Sequence, residues 1–96
     1  MSLEQVISPK AYNDIEQIRN WYDEQSSVAG DWFLEELYLY IKKLSKNPEQ
    51  YKLVTNNVRR CLMKRFPYII FFSTKQAAII ILRVRYAKQK PLKRFS

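Results

Sequence analysis

The hydrophobic repeat changes at Asn47-Pro48, and this switch constrains the fold more than any other feature of the chain. Before it, apolar residues recur at helical spacing. Ala11, Ile15, Ile18 and Tyr22 are four, three and four apart, one face of an amphipathic helix. Ser8-Pro9 predicts its start, because serine caps and proline fits the first helical position. Asp14 and Glu16 fall early in the helix, where the macrodipole favours them. Asp23–Ser27 reads as a break. Ala29, Phe33, Leu37, Tyr40 and Leu44 then mark one face of a second helix. Lys42, Lys43 and Lys46 sit at its C-terminal end, and Asn47-Pro48 stops it. The short link predicts an antiparallel helical hairpin.

After Pro48 the period becomes two. Tyr51–Thr55 is a candidate short strand. Val58–Phe66 is a strand broken at Pro67, Tyr68–Ser73 is a second, and Thr74-Lys75-Gln76 is the turn into a third, Ala78–Tyr86. A short strand over Glu4–Ser8 precedes the helices. The order β-α-α-β-β-β predicts an α+β fold, with a helical hairpin packed on one face of a mainly antiparallel sheet. Ninety-six residues make one domain, 1–96.

The charge is sorted along nearly the same boundary. Residues 1–41 hold eight carboxylates against Lys10 and Arg19; residues 42–96 hold fifteen Lys and Arg against Glu49. The two parts carry −6 and +14, which together make the net charge of +8. So polarised a chain draws in polyanions or an acidic protein.

Several chemistries are excluded or disfavoured. The chain has no histidine, so the commonest metal ligand and the commonest general base are both missing. No Gly-rich phosphate loop and no metal-ligand cluster is present, and no cofactor is expected. Cys61 lies in an apolar strand and reads as a small buried hydrophobe, with no histidine to activate it. A single cysteine and no signal peptide fit a reducing cytoplasm. The longest apolar runs, such as Ala77–Leu82, are too short to span a membrane.

The final strand carries the candidate site. Alternation predicts Ile80, Leu82, Val84 and Tyr86 on one face, with Ile79, Ile81, Arg83 and Arg85 on the other. Arg60 sits mid-strand among apolar residues. With the tail lysines Lys88 and Lys90, these arginines form either a concave cationic surface or a solvated sheet face. Tyr68 and Tyr86 are candidate stacking partners for bases. Arg59 and Arg65 read as solvated residues, Trp21 and Trp32 as packing residues, and the helix carboxylates as the wet side of the hairpin.

The chain resembles the RelE/ParE superfamily, the toxins of bacterial type II toxin–antitoxin modules. The resemblance rests on Ala11–Ile18 with Trp21-Tyr22, on Ala29–Leu44 with Asn47-Pro48, and most specifically on Val58–Phe72, similar to the family's "VRR…RFPY.I.F" strand pair. Ile80–Ala87 followed by Pro91 is similar to its last strand and tail. The resemblance implies two helices against a curved antiparallel sheet and an acidic, partly disordered antitoxin as partner. It also implies a target in replication (DNA gyrase) or translation (messenger RNA on the ribosome). The ribonuclease branch carries alternating cations before Pro67 and an arginine after the Tyr68 position; this chain has Leu62 and Ile69 there, closer to the ParE-like branch. That branch often has histidine at the Tyr86 position. The expected target or antitoxin contacts are Arg60, Arg83, Arg85, Lys88 and Lys90. For an RNA endonuclease the set would be Arg60, Arg83, Arg85, Tyr86 and Lys88. A basic nucleic-acid or protein binding module without toxicity is the third reading.

Overall fold

Ser8 opens the first helix as its sequence predicts. In the structure, a computed structural model that describes residues 2–89, Ser8 Oγ accepts the Ala11 N–H at 3.1 Å and Pro9 starts the first turn. The elements are β1 (Glu4–Ile7), α1 (Pro9–Gln25), α2 (Ala29–Lys46), a single 3-10 turn (Pro48–Gln50), β2 (Lys52–Thr55), β3 (Val58–Leu62), β4 (Tyr68–Lys75) and β5 (Ala78–Tyr86). The five strands form one sheet in the order β1-β5-β4-β3-β2. β1 runs parallel to β5 and the other neighbours are antiparallel. The α+β fold is as predicted, with Lys52–Thr55 adding a strand to the β-α-α-β-β-β order.

The helix periodicity determines which sides meet the sheet. Ala11 and Ile15 of α1 are buried with Phe33, Leu37, Ile41 and Leu44 of α2, against Cys61, Met63, Ile70, Phe72, Ile79, Ile81 and Val84. Tyr22, Phe33, Phe66 and Tyr68 close one end of this core, ring centroids 5.2 to 6.3 Å apart. Their stacked and edge-on arrangements satisfy the ring quadrupoles.

Boundaries differ from the sequence reading where backbone pairing decides them. β3 ends at Leu62, because Lys64-Arg65-Phe66 leave the ladder to make the connection to β4. That connection is closed by Met63 N–H to Tyr68 O at 2.9 Å and Tyr68 N–H to Phe66 O at 2.7 Å. β4 runs on to Lys75, so the turn shrinks to two residues, with Gln76 at φ 55° taking the left-handed conformation such tight hairpins need. Asp14 lies beyond the first turn of α1 and meets the sheet instead of serving the helix dipole. Trp21 and Trp32 are mostly exposed, so neither is the packing residue its size suggested.

The largest departure is in β5. Phe71 faces Arg83 and Phe72 faces Ile81, so Leu82 has no residue opposite it. This bulge breaks the expected alternation and places Ile79, Ile81 and Val84 all in the core. It falls where β1 stops pairing, at Ile7 opposite Ile81. From there α1 covers the strand edge: Ser8 N–H donates to Ile81 O at 3.0 Å and Ser8 Oγ to Leu82 O at 3.1 Å. The Val84 N–H donates to Asp14 Oδ2 at 3.0 Å. Side chains of α1 thus take over the hydrogen bonds that a longer β1 would have made.

Candidate functional site

Residues directly opposite on paired strands share a face. One row across the outer face of the sheet, away from the helices, is therefore Lys52, Arg60, Phe71 and Arg83. The next row is Leu62, Ile69 and Arg85. Arg60 and Arg83 flank Phe71 from two strands, about 10 Å apart at the usual strand spacing. Arg60 is exposed and Arg85 half-buried. The register thus sets Arg60, Arg83 and Arg85 at strand positions of one face, although the Arg83 guanidinium turns to Asp14 of α1.

The centre of that face is apolar. Leu62 is 59% exposed and lies directly opposite Ile69, which lies opposite Arg85. Phe71 adds a half-buried ring one row away. Cations thus border an exposed hydrocarbon patch. That combination suits an amphipathic acidic protein segment, which can bury apolar surface and meet charge together.

Arg83 has a structural partner. Its Nε and Nη2 donate to Asp14 Oδ2 and Oδ1 at 2.7 and 3.0 Å, a two-pronged pair joining β5 to α1. The hydrogen bond with Asp14 pushes the guanidinium pKa still higher. Sequence reading placed Asp14 on the wet side of the hairpin; it accepts three hydrogen bonds and is mostly buried. The one signal available was Arg83 itself, a strand cation needing a carboxylate that lay 69 residues earlier.

A cleft of about 340 Å³ lies beside this pair, between α1 and the end of β5. Asn13, Gln17, Trp21, Arg85, Tyr86 and Gln89 line it together with Asp14 and Arg83. The Tyr86 ring is partly exposed and meets Tyr68 edge-on at 5.8 Å. Tyr68 itself is buried, and burial with its Tyr22 hydrogen bond holds its phenol far above the usual tyrosine range. Tyr68 is thus neither a stacking platform nor a base, whereas Tyr86 remains accessible. Burial also pushes the Cys61 thiol up, so it stays protonated and inert at neutral pH.

Of the remaining candidates, Lys88 is exposed in the turn after β5, which is held by Ala87 N–H to Pro67 O at 2.7 Å and Gln89 N–H to Tyr86 O at 3.0 Å. Lys90 lies outside the described residues, as does the rest of the basic tail. Arg59 is not simply solvated: its Nη1 donates to Tyr51 O at 2.6 Å and Glu49 O at 3.3 Å, pinning the entry to β2. Among the described residues no group of three or more His, Cys, Asp or Glu could hold a metal ion. No described helix is long and apolar enough to cross a membrane.

The family model described as ParE toxin of type II toxin-antitoxin system, parDE, matches residues 6–91. Among solved structures, the chromosomal ParDE TA system from P. aeruginosa contains a similar chain, with a TM-score of 0.80 and 20% sequence identity. That likeness covers 91% of this chain and 98% of the other. At this identity it establishes the shared fold. No curated protein matches the sequence.

Proposed function

The chain belongs to the ParE toxin family of type II toxin–antitoxin systems, and we propose that, when free, it arrests growth by binding a protein of the replication machinery, DNA gyrase, rather than by cutting messenger RNA. In this reading an acidic antitoxin neutralises it by covering the outer face of the sheet. The observation that carries the reading is the Leu62–Ile69 pair, an exposed leucine beside a half-buried isoleucine at the centre of a cationic face. A nuclease must stabilise charge building up on a phosphorus centre, and without histidine it needs cations packed at that centre. Here Arg83 is engaged by Asp14, and Lys52, Arg60 and Arg85 surround an apolar floor. Such a surface binds protein better than it polarises phosphate.

The test is induced expression in a bacterial host with parallel assays of messenger RNA integrity and DNA supercoiling. Growth arrest with intact RNA and lost supercoiling supports the reading. Arrest with RNA cleavage that Arg60→Ala or Tyr86→Phe abolishes would assign an endonuclease and refute it. Normal growth would leave a basic binding module. A matching test of the antitoxin surface is Leu62→Asp, which should weaken binding of an acidic antitoxin without unfolding the domain, because Leu62 is outside the core.

A further inference from the structure

Helix α2 has an exposed side that the toxin reading does not use. Its core side is Phe33, Leu37, Ile41 and Leu44. On the far side, Trp32 and Leu39 are 60% and 58% exposed, and Val28, which caps the start of the helix, is 43% exposed. At about 100° per residue these three lie within about 40° of one another on the helical wheel. Glu35 falls on the same line, and Lys42 and Lys46 continue it, all exposed. The positions 28, 32, 35, 39, 42 and 46 alternate steps of four and three, the seam of a helix that pairs with another helix. Tryptophan is the residue type most often found anchoring such contacts.

The charge order along α2 says what covers the seam. Asp31, Glu35 and Glu36 lie in its first half and Lys42, Lys43 and Lys46 in its second. A parallel copy of the same helix would set like charge on like. An antiparallel copy sets each acidic half on the other's basic half, twice over by two-fold symmetry, with the helix dipoles opposed as well. An acidic antitoxin meets repulsion along the first half of this seam. We propose that the exposed seam of α2 is a self-association surface, on which two copies of this chain pair α2 against α2 antiparallel. Trp32 and Leu39 are buried between the copies, and Asp31, Glu35 and Glu36 lie against the partner's lysines. One helix pair makes a small interface, so the pairing is a reversible monomer–dimer equilibrium. It leaves the outer sheet faces of both copies open, so a dimer presents two antitoxin surfaces.

Sedimentation equilibrium of the full chain tests this. The mass should rise from 11.6 kDa toward twice that value as concentration increases; the range of about 1 to 100 μM brackets a micromolar dissociation constant. Trp32→Glu with Leu39→Glu should abolish the rise. Asp31→Lys with Glu35→Lys leaves Glu36 as the sole carboxylate on α2, and Lys42→Glu with Lys46→Glu leaves Lys43 as its sole cation. Each of these two variants should be monomeric alone, yet the two should form a one-to-one heterodimer when mixed. Heterodimer formation also shows that both variants are folded. A wild-type chain monomeric at the highest concentration would overturn the proposal. So would a dimer that survives Trp32→Glu with Leu39→Glu, or a mixture of the charge variants, each folded by circular dichroism, that stays monomeric.

Discussion

Replacing Asp14 by alanine removes the acceptor for three donors at once: Arg83 Nε at 2.7 Å, Arg83 Nη2 at 3.0 Å and the Val84 N–H at 3.0 Å. The two side chains are 12% and 20% exposed, so the ion pair is neither fully buried nor solvent-screened like a surface pair. Breaking a fully buried pair by removing one partner costs about 3–5 kcal/mol, and an exposed pair is worth under about 1 kcal/mol. With partial exposure, and with one backbone N–H also left without its acceptor, the expected cost is about 2–3 kcal/mol. For a domain of this size that lowers the melting temperature by about 8–20 °C. Asp14→Asn keeps an acceptor for Val84 but loses the charge, so it should cost about half as much. Arg83→Met keeps the aliphatic bulk and removes the stranded charge, so in the Asp14→Ala background it should recover about 1 kcal/mol or more. Denaturant unfolding of the four chains in this cycle measures each value. A coupling near zero, or an Asp14→Ala cost below about 0.5 kcal/mol, would refute the claim that the pair holds the free edge of β5.

Three further outcomes are expected. Gly30→Ala should destabilise by about 1–2 kcal/mol, because a Cβ there would overlap the Asp23 carboxylate and come within 3.2 Å of the Arg19 carbonyl. In an Asp23→Ala background most of that cost should vanish, and an unchanged cost would place the strain elsewhere. Arg60→Glu should weaken binding of an acidic antitoxin and flatten its salt dependence, measured by titration calorimetry at two ionic strengths; an unaltered affinity would remove Arg60 from the interface. Stability should also fall in alkali. Burial raises the folded-state pKa of Cys61 and Tyr68, so the stability linked to each is full below its unfolded value and is lost as pH rises past it. Unfolding midpoints should start to drop above about pH 8.5, with each group contributing at most about 1.4 kcal/mol per pH unit, and a profile flat to about pH 11 would contradict this.

The helices were legible because their signals are local. Ser8-Pro9 marks a start, Asn47-Pro48 marks a stop, and the apolar spacing between them identifies the buried sides. The strands were legible as segments but not as surfaces. A face assignment by alternation holds only while the ladder is regular, and the bulge at Leu82 moves Ile79 and Ile81 to the same side as Val84. It coincides with the place where β1 gives way to α1, a tertiary event with no trace in the residues around Leu82. The Asp14–Arg83 pair is hidden for the same reason, since its partners are 69 residues apart. Trp21 and Trp32 misled because bulk usually predicts burial, whereas their wheel positions lie off the core stripes of both helices. The cationic border at Arg60 and Arg85 was visible from composition. The apolar floor between them required the register that sets Leu62 opposite Ile69.

The charge boundary and the periodicity boundary nearly coincide, and that coincidence gives the sequence charge a spatial meaning. Among the described residues, both helices precede Asn47, and four of the five strands follow the 3-10 turn. The sorting of −6 and +14 along the chain therefore becomes a sorting between two layers, although part of the +14 belongs to α2 and to the tail beyond residue 89. The thinnest dimension of the fold is 23 Å. The screening length is about 8 Å at physiological salt, so a partner approaching one layer barely senses the other. The net charge of +8 is then the wrong quantity for predicting encounters. An acidic segment approaching the outer sheet meets Lys52, Arg60 and Arg85 almost undiluted, and one approaching the first half of α2 meets Asp31, Glu35 and Glu36. At about 0.01 M salt the screening length grows to about 30 Å and the layers blur together. Lower salt should therefore strengthen antitoxin binding while reducing its preference for the sheet face over the helices. The reverse change would mean that association is driven by the apolar Leu62–Ile69 floor more than by the cations around it.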